Sequence, residues 1–252
     1  MQEYIVFTVA SNRYAIAIDT IERIVNVPRV TPIPDAHRAI DGMISHEGRV
    51  IKVLNFRRLS GLPTYEEELL KRFGALKGEL DGWVEALSQS VIGGTPFDTQ
   101  QSDRLLRAVE RFSVRDEALV ERFRELKQHT AALQRLGMTL LERSLHDREG
   151  AIAALQGALE EGYRATLAAM QRFAALLEAA ADTMQKLLIY RAEAEVMAVK
   201  VDAIDDIRSV DEGSVRYSYQ TDASKALQIE GVAELDANLV NIIKSVRLPE
   251  KR

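Results

Sequence analysis

The sequence predicts a mixed protein: two small closed β-barrels from one duplicated β unit, split by an inserted bundle of four helices. Three observations predict it. A phrase near the start, "IDGMISHEGRVIKVL" (40–54), is echoed by "IEGVAELDANLVNII" (229–243). A second segment, "YIVFTVASNRYAIAIDTIERIV" (4–25), lies without a gap over "LLIYRAEAEVMAVKVDAIDDIR" (187–208). Between the copies the apolar period changes from 2 to 3.5–3.6, the change expected where strands give way to helices.

The β halves come first. "YIVFTV" and "YAIAI" flank the turn-type "ASNR" and read as a hairpin. The stretch 26–39 carries three prolines and reads as an irregular loop or short helix, since proline donates nothing to a ladder. "GRVIKVLNF" (48–56) is a further strand, rich in β-branched residues. Taken alone, "MQKLLIYRAEAEVMAV" also suits the tail of a long helix. The match to 4–25 argues instead for a strand over Leu187–Arg191 with "AEAE" as its turn. The two echoes stand in the same order at offsets of 183 and 189, and a loop absorbs the difference. Each copy has too few strands for a covered open sheet, and closing a barrel removes the edges.

The helical middle runs from about Thr64 to Gln185. Leu69, Phe73, Leu76, Leu80, Trp83, Leu87 and Val91 form the first stripe, stopped by "GGTP" (93–96). Leu105, Leu106, Val109 and Phe112 form a second, after a cap at Ser102 or Asp103. Leu119, Phe123, Leu126, His129, Leu133, Leu136 and Leu140 form a third, broken by "LHDREG" (145–150). Ile152, Leu155, Leu159, Tyr163, Leu167, Met170, Phe173, Leu177 and Met184 form the fourth, weakened by Gly157 and Gly162. Four amphipathic helices with short links predict an antiparallel bundle. The domain boundaries expected are 1–63 for the first barrel, 64–185 for the insert and 186–252 for the second barrel.

Composition excludes several functions. The chain has 252 residues, a net charge of −5 and a pI near 5.6, which argues against a general nucleic-acid binder. It has no cysteine, so disulfides, thiolate nucleophiles and cysteine-held zinc are excluded. No secretory leader and no membrane span are read from it, and a cytoplasmic location is the expectation. The four histidines, His37, His46, His129 and His146, stand at no metal-ligand spacing to one another. "GGTP" lacks the Lys-Ser/Thr of a phosphate loop and ends a helix instead of opening one. No nucleophile with a nearby base is suggested, so the expectation is not an enzyme, with no cofactor.

The β halves resemble the CheW-like domain, the coupling module of bacterial chemotaxis. The matching phrases are "YAIAIDTIERIV", "IDGMISHEGRVIKVLNFRRL", "MAVKVDAIDDI" and "IEGVAELDANLVNII". The resemblance implies two small SH3-like five-stranded barrels and a non-enzymatic adaptor joining chemoreceptor cytoplasmic tips to a CheA-type histidine kinase. It places the partner-binding surface on Gly42, Glu47, Gly48, Arg49, Arg57, Arg58 and Gly231, around a groove between the barrels. Glu47 stands where the family often carries arginine. The basic run "NFRRLSGLP" (55–63) reads equally as a solvated strand exit or as interface.

The insert resembles, more distantly, a chemoreceptor zinc-binding (CZB) domain through "GWVEALSQSVIGGTPFD" (82–98) and "FRELKQHTAAL" (123–133). That family holds zinc with three histidines and one cysteine. Here Leu80 and Leu133 replace two of the ligands and His129 is a relict, expected to make one core hydrogen bond. The resemblance therefore implies no metal, with leucines filling the former site. Two other readings stay open: a ligand or metal sensor acting through the insert, and an adaptor of a pilus or twitching system.

Overall fold

The computed structural model describes residues 2–110, 117–192, 195–217 and 226–249. The chain divides into two units, one of residues 1–65 and 181–252, the other of Glu66–Ala180.

The first unit holds two mixed sheets. One has the order β8 (Ala203–Val210), β1 (Gln2–Val9), β2 (Asn12–Ala17), β11 (Asn238–Val246), β10 (Leu227–Leu235), β9 (Arg216–Tyr217). The other has the order β3 (Ile21–Asn26), β6 (Lys186–Ala192), β7 (Glu195–Val201), β5 (Arg49–Asn55), β4 (Ile40–His46). Two expectations are corrected here. The hydrogen-bonded order does not close into rings, so the sheets are not closed barrels. Nor does residues 1–63 build one sheet and 186–252 the other. The first hairpin of each copy, β1–β2 or β6–β7, is donated to the sheet built by the remaining strands of the other copy.

The exchange preserves the internal repeat residue by residue. In the parallel pair β5–β7, Val53 faces Ala198 and Leu54 faces Val199. Shifting by 189 and 183 gives the parallel pair β11–β2, where Ile242 faces Ala15 and Ile243 faces Ile16. The antiparallel edges obey the same shift: Ile24 faces Leu188, and Ile5 faces Ile207. Strand register is strongly specified wherever a face is buried, because a one-residue slip would turn the whole apolar set outward.

Three apolar clusters follow. The largest lies between the sheets and joins Phe7, Tyr14 and Ile16 to Phe56, Leu188 and Val199. Phe7, Tyr14 and Phe56 meet there at ring-centroid distances of 4.8–5.7 Å, within the range where aromatic pairs gain beyond their buried area. On its other face each sheet buries a cluster of its own. Tyr4, Val6, Ala15, Ala233, Val240 and Ile242 form one, and their counterparts Leu187, Ile189, Ala198, Ile44, Ile51 and Val53 form the other.

Every regular element among the described residues of the second unit is helical. After the short α1 (Phe56–Leu59) of the first unit come α2 (Tyr65–Gly93), α3 (Gln100–Glu110), α4 (Glu117–Ser144), α5 (Arg148–Ala154), a π-helical turn (Leu155–Leu159) and α6 (Glu160–Ala180). Gly94, at φ +65, follows the end of α2 and suits a left-handed helix stop. Asp147 caps α5 by accepting from the Gly150 amide at 2.9 Å. Leu69, Leu76, Leu80, Trp83, Leu87 and Val91 of the first stripe are buried. Phe112 lies outside the described residues. The fourth stripe is not one α-helix: the π turn interrupts it around Gly157, and helix ends at Ala180, before Met184.

Candidate interaction surface

The two echoed phrases are two-residue hairpins. His46 pairs with Arg49 across Glu47-Gly48, and Leu235 pairs with Asn238 across Asp236-Ala237. The four turn residues have φ of 50, 77, 49 and 60, the left-handed pair that matches the twist of the flanking strands. Upstream, Gly42 and Gly231 do the same job in the two copies. A β-carbon on Gly42 would sit 2.2 Å from the Thr31 carbonyl oxygen, and one on Gly231 would sit 2.7 Å from that of Arg216. Both glycines are buried, so they shape the surface by close backbone approach and present nothing to a partner.

Glu47 is exposed and is held from within the chain. Its carboxylate lies 3.0 Å from Arg23 on β3. The counterpart acid Asp236 lies 2.9 Å from Arg208 on β8. Arg49 donates to Glu22 at 2.9 Å, and Arg191 donates to the other oxygen of Glu22 at 2.7 Å. Hydrogen bonds from Arg191 and Arg49 hold the Glu22 carboxyl below the usual carboxylate range. These pairs carry the edge strand β3 to the β4–β5 hairpin, so side chains draw together edges that the backbone ladder leaves open.

Arg57 is not a surface residue. It is 2% exposed, and its guanidinium grips Asp202 at 2.6–3.0 Å. It also donates to the Pro63 carbonyl at 3.3 Å and lies 5.0 Å from the centre of the Tyr65 ring. Asp202 accepts further from the Ala10 amide at 2.7 Å and the Gln185 amide group at 3.1 Å. Beside it the ammonium of Lys200 is shared between Asp41 and Asp182. Asn55 donates to Asp41 at 3.1 Å and caps α1 by accepting from the Arg58 amide. A buried charge in such a site needs full pairing, and here both pairs have it. Arg58 alone of the two arginines reaches solvent, its head donating to the Arg38 carbonyl at 3.0 Å.

Sequence reasoning missed Asp202, Lys200 and Gln185. Only Asp19 matched Asp202 in the echo, and nothing local marks a partner 145 residues away. In the helical unit Leu80 and Leu133 are each 1% exposed. The core hydrogen bond expected of His129 is made instead by its neighbour Thr130, whose hydroxyl donates to the Leu126 carbonyl at 2.9 Å. His129 itself is half-buried and takes no hydrogen bond from a described residue. Among the described residues no group of three or more His, Asp or Glu converges as metal ligands, and no helix is long and apolar enough to cross a membrane.

Residues 3–75 match the CheW-like domain. The chemotaxis protein CheW of Thermotoga maritima is 25% identical over 119 residues, which cover 47% of this chain and 77% of that one. The crystal structure of the scaffolding protein TtCheW from Thermoanaerobacter tengcongensis aligns with 98% of this chain and 91% of its own at a TM-score of 0.47 and 14% identity.

Proposed function

We propose that the chain is a cytoplasmic adaptor that couples chemoreceptor tips to a CheA-type histidine kinase by protein contacts alone. The observation that supports this most is the CheW-like match over 3–75, which spans the first hairpin phrase and all five strands that precede the helical unit. The exposed hairpin residues Glu47, Gly48 and Arg49, with Arg58, form the contact surface in this reading. Gly42, Gly231 and Arg57 support it from below. Glu47 favours a partner that carries positive charge opposite it, because like charges across an interface cost several kcal/mol.

The helical unit is a CZB-like bundle without zinc, serving as a second contact or spacing module. Buried Leu80 and Leu133 support the loss of metal, since each contributes roughly 1.5–3 kcal/mol as core. Exposed Ile92 and Leu145 are available for contact.

The test is reconstitution with a receptor cytoplasmic fragment and the kinase of the same organism. The expected result is a ternary complex with raised kinase activity, and Glu47→Arg changes receptor affinity. Failure to bind either protein would refute the reading. Metal analysis of the purified chain is expected to find no stoichiometric zinc.

A further inference from the structure

The buried charges around Lys200 lie where the chain returns from the helical unit. Helix ends at Ala180, and residues 181–184 form a turn that Gln185 closes, its backbone N–H donating to the Asp182 carbonyl at 3.1 Å. Asp182 accepts from the Lys200 ammonium at 3.1 Å, and the Gln185 side chain donates to Asp202 at 3.1 Å. On the outgoing side, the Pro63 carbonyl and the Tyr65 ring both face Arg57. One site therefore anchors both crossings. Within it Asp182 is the member that leaves at least cost, since its side chain is 51% exposed and that of Lys200 only 9%.

The internal repeat separates what the sheets need from what the crossings add. At the equivalent place in the other sheet, Glu230 stands for Asp41 and Arg247 for Arg58, so an acid and an arginine are kept. Ala17 stands for Lys200, and Lys244 for Asn55. The sheet framework thus does without a buried ammonium at this position, and the lysine occurs on the side where the chain returns from the helices. Its charge reaches the surface in two steps: Lys200 pairs with Asp41, and the Asp41 carboxylate lies 3.7 Å from the Arg58 guanidinium. Asp41 and Asp182 balance Lys200 and Arg58. Without Asp182, two cations share one anion. Lys200 then claims Asp41, because a buried charge left unpaired costs far more than an exposed one. Arg58, 38% exposed, is the cation that water takes over.

We propose that the turn at Asp182 is a latch on Arg58. With the latch closed, Asp182 shares Lys200, and Asp41 keeps the capacity to hold the Arg58 head beside the Arg38 carbonyl. When the return segment shifts and Asp182 lets go, Lys200 takes Asp41 for itself and Arg58 is released to solvent. The helical unit thereby sets how much of the Arg58 charge a partner meets, with no change in the strands. That a partner meets Arg58 rests on the adaptor reading; the latch itself needs neither receptor nor kinase.

Reaction of the full chain with phenylglyoxal, an arginine reagent, tests it, each modified arginine being located by peptide mass spectrometry. Asp182→Asn removes the charge of a half-exposed side chain and leaves the backbone turn in place. Arg58 is expected to react several-fold faster in this variant, while Arg57, buried one residue away, stays protected. Asp41→Asn is expected to speed Arg58 by itself, and Asp182→Asn is expected to add little to it. An unchanged Arg58 rate in Asp182→Asn would overturn the proposal. So would a rise at Arg57, the mark of a buried site loosened as a whole. An undiminished increment in the Asp41→Asn background would do the same, because Asp41 would then not carry the link. No partner protein enters the reaction, so failure here is distinct from failure to bind receptor or kinase.

Discussion

Ala237 occupies the second turn position of the β10–β11 hairpin at φ +60, where its counterpart Gly48 sits at φ +77. A side chain there meets the following carbonyl, a cost of roughly 1–2 kcal/mol that glycine escapes. Glycine also loses more backbone freedom on folding, which returns part of the gain. Ala237→Gly is therefore expected to stabilise the chain by about 0.5–1 kcal/mol, read as a higher urea midpoint at unchanged slope. An equal or lower midpoint would show that the turn relaxes around alanine. The echo that aligned Ala237 with Gly48 was legible in the sequence. The strain was not, because "DANL" carries no glycine to announce a tight turn.

Among the elements, α4 contains a glycine, Gly137, at a position where helix propensity alone favours alanine. A β-carbon on Gly137 would lie 2.5 Å from the Trp83 ring and 2.7 Å from a Leu87 methyl. Trp83 is itself fixed, since its indole donates to Ser102 at 2.9 Å and its ring meets Phe97 edge-on at 6.4 Å. Gly137 thus lets α4 approach α2 at the bulkiest side chain of that core. Gly137→Ala raises helix propensity by about 1 kcal/mol but overpacks the contact, which typically costs 1–3 kcal/mol. A net loss of stability is expected, measured by thermal unfolding. Gly157→Ala is the control: no heavy atom stands within 4 Å of its added methyl. The stripes on α2 and α4 were readable because burial repeats every three or four residues. The need for Gly137 was not, because it arises from a helix distant in sequence. The same limit hid the hairpin exchange: alternation marks which face of a strand is buried, and says nothing of which sheet receives it.

For the whole molecule, the repeat predicts how the β unit tolerates loss of its insert. The chain leaves at Tyr65 and returns at Ala181, and the Tyr65 hydroxyl lies 4.0 Å from the Met184 sulfur, so a short glycine linker spans the gap. Removing 66–180 keeps Asp182 and Gln185, which complete the buried pairs around Lys200 and Asp202. That chain is expected to fold, with the β-sheet signature in circular dichroism and a single urea transition. Removing 66–185 takes both partners away. Lys200 keeps Asp41 and Asp202 keeps Arg57, so the sheets still form. Each ion pair then lacks one bond it had in a buried site, a loss of about 1–3 kcal/mol for an unsatisfied polar group. The second deletion is therefore expected to unfold at lower urea than the first. The network has no twin at the equivalent side of the repeat, where Ala17 and Val246 stand in place of Lys200 and Arg57. Equal midpoints for the two deletions would mean that the return segment is merely tethered. A lower midpoint for the second would assign Asp182 and Gln185, two and five residues past the point where the helices end, to the β unit.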